Sequence, residues 1–185
     1  MRGGYGARAA GRLSVFWAMI LNTDRLLLRP QQLGDGPCLF AILSDRMAMR
    51  FWHRPAIARL AVVEELLLEQ QATMESGLCR YWTVLEEGDA IGSLDLSLIA
   101  QESAQLGFLF RRDRWGHGLA TEAAAAVIAH GFGAMGLKRL ASATQIENRG
   151  AARVLEKNGF VLVESRSATI TSGQRRDCGF YLLTH

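Results

Sequence analysis

The chain has 185 residues, of which 49% are hydrophobic and 21% charged, with a formal net charge of +3. That length supports one domain with a sizeable core, and a mean hydropathy of +0.07 suits a globular chain rather than a disordered one. The charge is too small to make nucleic acid the default partner, although a pI of about 9.0 leaves it open. No stretch reaches the roughly 20 apolar residues that a membrane span needs. Cys38, Cys79 and Cys178 form no Cys-x-x-Cys pair and read as thiols in a reducing compartment, so a cytoplasmic protein is expected. His53, His117, His130 and His185 lack metal-ligand spacing, and no metal is expected.

Residues 1–21 read as an N-terminal extension outside the fold, and residues 22–185 as the domain. Arg2, Arg8 and Arg12 precede an apolar run from Leu13 to Leu21, but Trp17, Met19 and Asn22 break a secretory pattern and no small-residue cleavage site follows. Translation from Met1 or from Met19 is left open. A first strand is predicted over Arg25 to Arg29, stopped by Pro30. Asp35, followed by Gly36 and Pro37, starts a short helix through Ala41 to Ser44. Met47 to Ala58 reads as irregular, since Arg54-Pro55 disfavours helix.

A second helix follows, with Val63, Leu66, Leu67 and Met74 on one face and an end near Gly77. Tyr81 to Glu86 and Ala90 to Leu98 form a hairpin about Glu87-Gly88-Asp89. Gln101 to Ala104 turns into a strand from Gln105 to Phe110. The helix after Gly118 puts Ala120, Ala123, Ala124, Val127 and Ile128 on one face, where small residues allow close packing on a sheet. It frays at Gly131-Phe132-Gly133. Lys138 to Thr144 is a strand, Gly150 to Lys157 a helix ended by Asn158-Gly159, and Phe160 to Glu164 and Asp177 to Leu183 the last strands. Thr171-Ser172-Gly173-Gln174 joins those two. The order is β-α-α-β-β-β-α-β-α-β-β, an α+β single domain with a mixed sheet flanked by helices.

The segment from Gln105 to Ala126 carries the strongest functional signal. An apolar strand runs through Arg111, Arg112 and Arg114 into Trp115-Gly116-His117-Gly118, then into an alanine-rich helix. A helix start leaves backbone N–H groups free and carries partial positive charge, so it can hold phosphate oxygens. Gly116 and Gly118 let a ligand approach the backbone, and the arginines suit a pyrophosphate. A lone Gly-x-Gly is more often a turn than a phosphate cradle, and an arginine run is ordinarily a solvated loop face; the preceding strand, the arginines and the later Asn/Gly-Phe motif favour the cradle.

With Thr23-x-Arg25-Leu26-x-Leu28-Arg29-Pro30 before it and Asn148-x-x-x-x-Arg153-Val154-Leu155-Glu156-Lys157-x-Gly159-Phe160 after it, this turn resembles the GNAT superfamily of acetyl-CoA-dependent N-acetyltransferases. The likeness covers Asn22 to Leu183 and is nearest to the group containing the ribosomal-protein N-terminal acetyltransferases. It implies a GNAT-like domain in which acetyl-CoA serves as co-substrate. Leu109, Phe110 and Arg111 would then pair their free backbone groups with the pantetheine arm. Backbone N–H groups from Arg114, Trp115, Gly116, His117, Gly118 and Leu119, with the helix start at Ala120, would hold the diphosphate. Asn148 would contact the arm near the thioester, or only cap its helix. Arg153 would face the cofactor, or form a polar row with Arg149 and Lys157.

Three positions depart from the family's pattern. Asp113 stands where Gln or Arg is usual, and beside a diphosphate it must turn toward Arg111 or Arg114. Gln105 replaces a common Glu, and a carboxamide is no general base. Ala151 and Leu155 occupy the positions of the usual Ser or Tyr acid. An alkyl thiol of pKa about 8.5 still leaves readily, and alignment lowers the barrier by itself. A water chain through Gln105, Glu102 or Asn148 would carry the proton away.

The reading is an N-acetyltransferase in which a primary amine, a protein N-terminus or a small molecule, attacks acetyl-CoA directly in a ternary complex. The acceptor would enter near Phe51-Trp52-His53 and the Thr171 to Arg175 loop, although those aromatics read equally as core. A catalytically silent CoA-binding sensor or partner module is the alternative. An RNA-backbone contact at the arginine turn is the third reading, without the aromatic platform such sites use. A homodimer is left open.

Overall fold

The computed structural model describes residues 19–169 and 173–185. Chain order gives β1 (Leu21–Asn22), β2 (Leu26–Pro30), α1 (Gly36–Leu43), α2 (Leu60–Glu75), β3 (Arg80–Glu86), β4 (Asp89–Ala100), β5 (Ser103–Phe110), α3 (Leu119–Phe132), β6 (Arg139–Gln145), α4 (Arg149–Lys157), β7 (Val161–Thr169) and β8 (Arg175–Thr184). Eight strands form one mixed sheet in the order β1-β2-β3-β4-β5-β6-β8-β7, in which β5 and β6 are the parallel pair. The α+β class and the expected sequence of longer elements are as the residue pattern indicates. The short β1 is additional. It pairs Leu21 with Leu28, Met19 is buried, and the Met19 carbonyl accepts from Trp82 Nε1 at 2.7 Å. Met19 and Leu21 thus pack with the sheet, ahead of the boundary expected at Asn22; the residues before Met19 lie outside those described.

Strand alternation sorts the sheet into two faces. Leu94, Leu96, Ala104, Leu106 and Phe110 face α3, whose Ala123, Ala124 and Val127 are buried against them. Alanines keep that helix close to the sheet, as its sequence suggested. On the other face, Leu39, Ile42, Val63 and Leu67 of α1 and α2 form a smaller apolar cluster that Leu109 joins from β5.

The boundaries of β4, β5, β7 and β8 shift for local reasons. β4 runs on to Ala100 through an irregularity between Ser97 and Ala100, where Leu98 has φ 52°. The turn into β5 then needs only Gln101 and Glu102 rather than four residues. β7 continues to Thr169 because its partner β8 starts at Arg175, so pairing offsets its exposed composition. Of the joining segment, Thr171 and Ser172 lie outside the described residues.

Asp35 does precede α1, but its carboxylate caps nothing there. It accepts from Arg29 Nη1 at 2.8 Å and Thr83 Oγ1 at 2.6 Å, and from the Gln32 backbone N–H at 2.9 Å, with Arg29 Nη2 on its other oxygen. Desolvation pushes this carboxyl up, yet the hydrogen bonds from Arg29, Thr83 and Gln32 together hold it below the usual carboxylate range. A folded pKa below the unfolded one adds stability above the unfolded value and loses it as pH falls through the folded one. Asp35→Asn should therefore cost about 3 kcal/mol in urea unfolding at pH 7, because it strands a part-buried guanidinium. The gap to the wild-type chain should narrow as pH falls below about 4.

Candidate functional site

β5 and β6 pair only over Ser103↔Arg139, Ala104↔Leu140 and Gln105↔Ala141. Beyond that point each follows its outer neighbour, β5 staying with β4 to Phe110↔Gly92 and β6 with β8 to Gln145↔Cys178. The space between them is a cleft of about 890 Å³, lined by Gln105 to Phe110, by Ser142 to Gln145 and by the start of α4.

Backbone groups on a strand alternate between its two neighbours. The Arg111 N–H donates to Ile91 O at 2.8 Å, which assigns the odd-numbered residues of β5 to β4. The Leu106 and Phe110 carbonyls face the other way and accept from Ser142 Oγ and Trp115 Nε1, each at 2.9 Å. Phe108 lies between them with its N–H and C=O turned toward the cleft. The backbone groups of Leu109 and Arg111, expected to be open, therefore face β4 instead. Trp115 also does more than pack, since it holds the end of β5.

After β5 comes a 3₁₀ turn (Arg112–Arg114), then Gly116 at φ 81° and Gly118 at φ 79°, and α3 begins. That left-handed conformation favours glycine. Thr23 Oγ1 donates to Glu122 Oε1 at 2.6 Å, and Arg25 reaches Glu122 Oε2 through Nε at 2.7 Å and the His117 carbonyl through Nη1 at 3.1 Å. The Thr23-x-Arg25 motif thus pins the turn to β2. The His117 side chain is exposed.

The arginine run is already paired. Arg111 bonds Asp113 at 2.7 Å and Asp89 at 2.8 Å, Arg112 meets Asp45 at 3.3 Å, and Arg114 meets Glu86 at 3.0 Å. Hydrogen bonding from Arg111 holds the exposed Asp113 carboxyl below its usual range, so that carboxylate does turn toward its arginines. Arg111 belongs to this network, and only Arg114 of the three lines the cleft. An RNA-backbone site would need these cations free.

On the far wall, Asn148 Oδ1 accepts from Ala151 N at 3.2 Å and caps α4. Asn148 and Arg153 line the cleft with Ala151 and Leu155, which carry no acid. Gln105 lines its inner end. Glu102 does not line it: it sits in the β4–β5 turn, with its side chain 2.6 Å from Lys138 Nζ and its carbonyl accepting from the Lys138 and Arg139 N–H groups. Cys178 also lines the cleft, and burial pushes its thiol up.

A second cavity, of about 330 Å³, lies between α1, α2 and the strands. Its walls are apolar along α1, mixed along α2, where Glu69, Gln70 and Thr73 join Val63, Leu66 and Leu67, and polar along β3 and β4. Trp52, His53, Asp95, Ser97 and Leu109 line both spaces and so mark where they meet. Gln145 Nε2 donates to Phe51 O at 3.1 Å and fixes this aromatic segment across the cleft. Burial, with Arg54 beside it, holds His53 below its usual range. Asp95, Phe108 and Ser142, which no sequence motif singles out, line the cleft with Trp52 and His53. Among the described residues no group of three or more His, Cys, Asp or Glu could hold a metal ion, and no helix is long and apolar enough to cross a membrane.

An acetyltransferase (GNAT) domain family model matches residues 25–161. The uncharacterized N-acetyltransferase YoaA of Bacillus subtilis (strain 168) is 26% identical over 145 residues, covering 76% of this chain and 82% of YoaA. Among solved structures, a RimL ribosomal α-N-protein acetyltransferase in complex with coenzyme A superposes with a TM-score of 0.83 at 16% identity, over 89% of this chain and 97% of that one. A spermidine N-acetyltransferase from Vibrio cholerae, in complex with coenzyme A and spermine, gives 0.77 at 20% identity, over 88% and 96%. At these identities the two structures share the fold.

The Glu122 side chain is 20% exposed and that of Arg25 48%, so solvent weakens the pair. Glu122→Ala should cost about 1 kcal/mol of global stability, because several hydrogen bonds are lost together. Amide exchange at Gly116 to Leu119 should accelerate about tenfold, the rate equivalent of roughly 1.4 kcal/mol of local opening. Hydrogen-exchange mass spectrometry reads both.

Proposed function

The chain belongs to the GNAT acetyltransferase family, and from that premise we propose that it moves an acetyl group from acetyl-CoA to a primary amine by direct attack in a ternary complex. The observation that carries this reading is the parted pair β5 and β6, with the Phe108 backbone open between two capped carbonyls. Such a strand can accept an extended amide-bearing arm as an added strand. Backbone N–H groups from Gly116 to Leu119 and the helix start at Ala120 follow it and suit a diphosphate, whereas those of Arg114 and Trp115 are taken by the Arg111 and Arg112 carbonyls at 3.0 and 3.2 Å. An alanine Cβ at Gly116 would meet nothing within 4 Å, and one at Gly118 only Arg25 Nη2 at 3.7 Å, so the turn has open space on its ligand side. The Asn148 oxygen is engaged with Ala151, which leaves its amide hydrogens to donate toward the arm, and Arg153 adds charge along the same wall.

The thioester supplies an activated acetyl group; the chain's task is to align the amine with it. Direct attack is favoured because Cys178, the cysteine in the cleft, has its thiol raised by burial and is a poor nucleophile. The acceptor enters past Trp52 and His53 from the smaller cavity. Residues 19–185 form the working unit in this reading, in a reducing compartment such as the cytoplasm. A second reading, a silent CoA-binding module, draws on Gln105, Ala151 and Leu155, none of which can act as base or acid.

Thiol release from acetyl-CoA over a panel of amines separates the two readings: turnover of at least one amine is expected, and background rates for all would favour the silent module. Gly118→Trp fills the phosphate turn and should weaken coenzyme A binding at least 100-fold by calorimetry. A variant of unchanged affinity would detach the turn from the function.

A further inference from the structure

Gln105 leaves β5 without a proton acceptor at the inner end of the cleft, and the neighbouring strand carries one. In the β4–β5 register Ser97 stands opposite Gln105 and Asp95 opposite Gly107. These residues lie on the face that carries α1 and α2. A Cβ built at Gly107 would fall on Asp95 Oδ1, well inside contact distance of the whole carboxylate. The absent side chain therefore lets the Asp95 carboxylate lean across β5, beside the open Phe108 backbone. Asp95 also lines both the cleft and the smaller cavity.

We propose that Asp95 is the general base of the transfer: its carboxylate receives the proton that the acceptor nitrogen loses as the new amide forms. The proposal rests on the acetyltransferase reading above. With the diphosphate at the turn after Phe110, the arm runs back along β5, and its acetyl end lies opposite Leu106 to Phe108. The neutral amine, arriving past Trp52 and His53, forms the C–N bond to the acetyl carbon with its lone pair. The C–S bond breaks with its electrons on sulfur, which takes a proton from water. The nitrogen's proton goes to Asp95 and from there to solvent, so one proton enters and one leaves.

The surroundings support such a group. Loss of solvent raises the Asp95 carboxyl to about 6, partly offset by a hydrogen bond with Ser97, so it is ionised near neutral pH and a stronger base than an exposed aspartate. Facing it, β3 presents Tyr81 directly across, whose phenol burial pushes up; the segment before α2 presents His53 and Arg54, and α2 presents Glu69. The α1 residues in the cavity wall, Leu39, Ile42 and Leu43, do not titrate. His53 is the rival base at the same junction.

The test compares wild type, Asp95→Asn and His53→Gln in thiol release from acetyl-CoA, with phenethylamine, spermidine and a free α-amine tetrapeptide as acceptors. With the best acceptor, wild-type kcat should rise through an apparent pKa near 6 as Asp95 ionises. Asp95→Asn should lower kcat by about 10²–10³ and remove that limb, whereas His53→Gln should keep it. Calorimetric affinity of Asp95→Asn for coenzyme A should stay within about twofold. Because Asp95 titrates higher in the fold than in the unfolded chain, stability falls as pH rises from about 4 to about 6 and stays lowered above that, so Asp95→Asn should melt no lower than wild type at pH 8. An acid limb that survives in Asp95→Asn, or that disappears with His53→Gln, overturns the assignment. So does a fall in Tm together with lost coenzyme A affinity, which marks a structural role. A wild-type chain silent with all three amines, yet binding coenzyme A, removes the acetyltransferase reading and this one with it.

Discussion

The separation of β5 from β6 after one short stretch of pairing is the constraint on which the rest of this molecule depends. A buried N–H or C=O without a partner costs about 1–3 kcal/mol, so two adjacent strands do not part without replacements. Here each strand keeps its outer neighbour, and side chains take over at the two ends of the gap. Ser142 takes the Leu106 carbonyl and Trp115 takes the Phe110 carbonyl. The opening is thereby held at both ends and left polar in the middle, at Phe108. A ligand that can pair as a strand completes the sheet.

The turn beyond that strand shows a division between shape and charge. Gly116 and Gly118 give the backbone its left-handed conformation, while Thr23 and Arg25, nearly a hundred residues earlier, hold Glu122 and the His117 carbonyl in place. This explains a motif whose spacing carries no obvious chemistry in the sequence: it works on the turn rather than on a ligand. The arginines beside the turn serve the same end, each matched to an acid on another segment. What remains for an anion is chiefly backbone N–H, whose geometry is fixed by all these ties.

Much of this could be read from the letters, because periodicity and glycine punctuation act locally. The alanine face of α3, the glycine turn, the Asn148 cap and the run of longer elements all follow from patterns within a dozen residues. What could not be read depends on register between strands. Whether Leu109 or Phe108 opens to the cleft is decided by which side Arg111 gives to Ile91. The place of Glu102 in the turn was itself legible, but its pairing with Lys138 across the sheet was not. Along its own strand Asp95 is one polar position among others, Ser93 and Ser97 beside it. Only its place opposite Gly107 gives it reach, and nothing in either strand alone announces that pairing.

The two faces of the sheet carry different burdens. The α3 side is packed with fully buried Leu94, Leu96, Leu106 and Val127, and contains little that is polar. The groups that are costly to hold, His53 and Asp95, lie on the α1–α2 side around a cavity. A cavity under two helices narrows if they settle onto the sheet. The Asp35 cluster opposes that motion. It joins the start of α1 to Arg29 on β2 and Thr83 on β3, and from there Leu39, Ile42 and Leu43 run along the cavity wall. An ion pair outside the cleft thus ties helix to sheet beside the cavity wall.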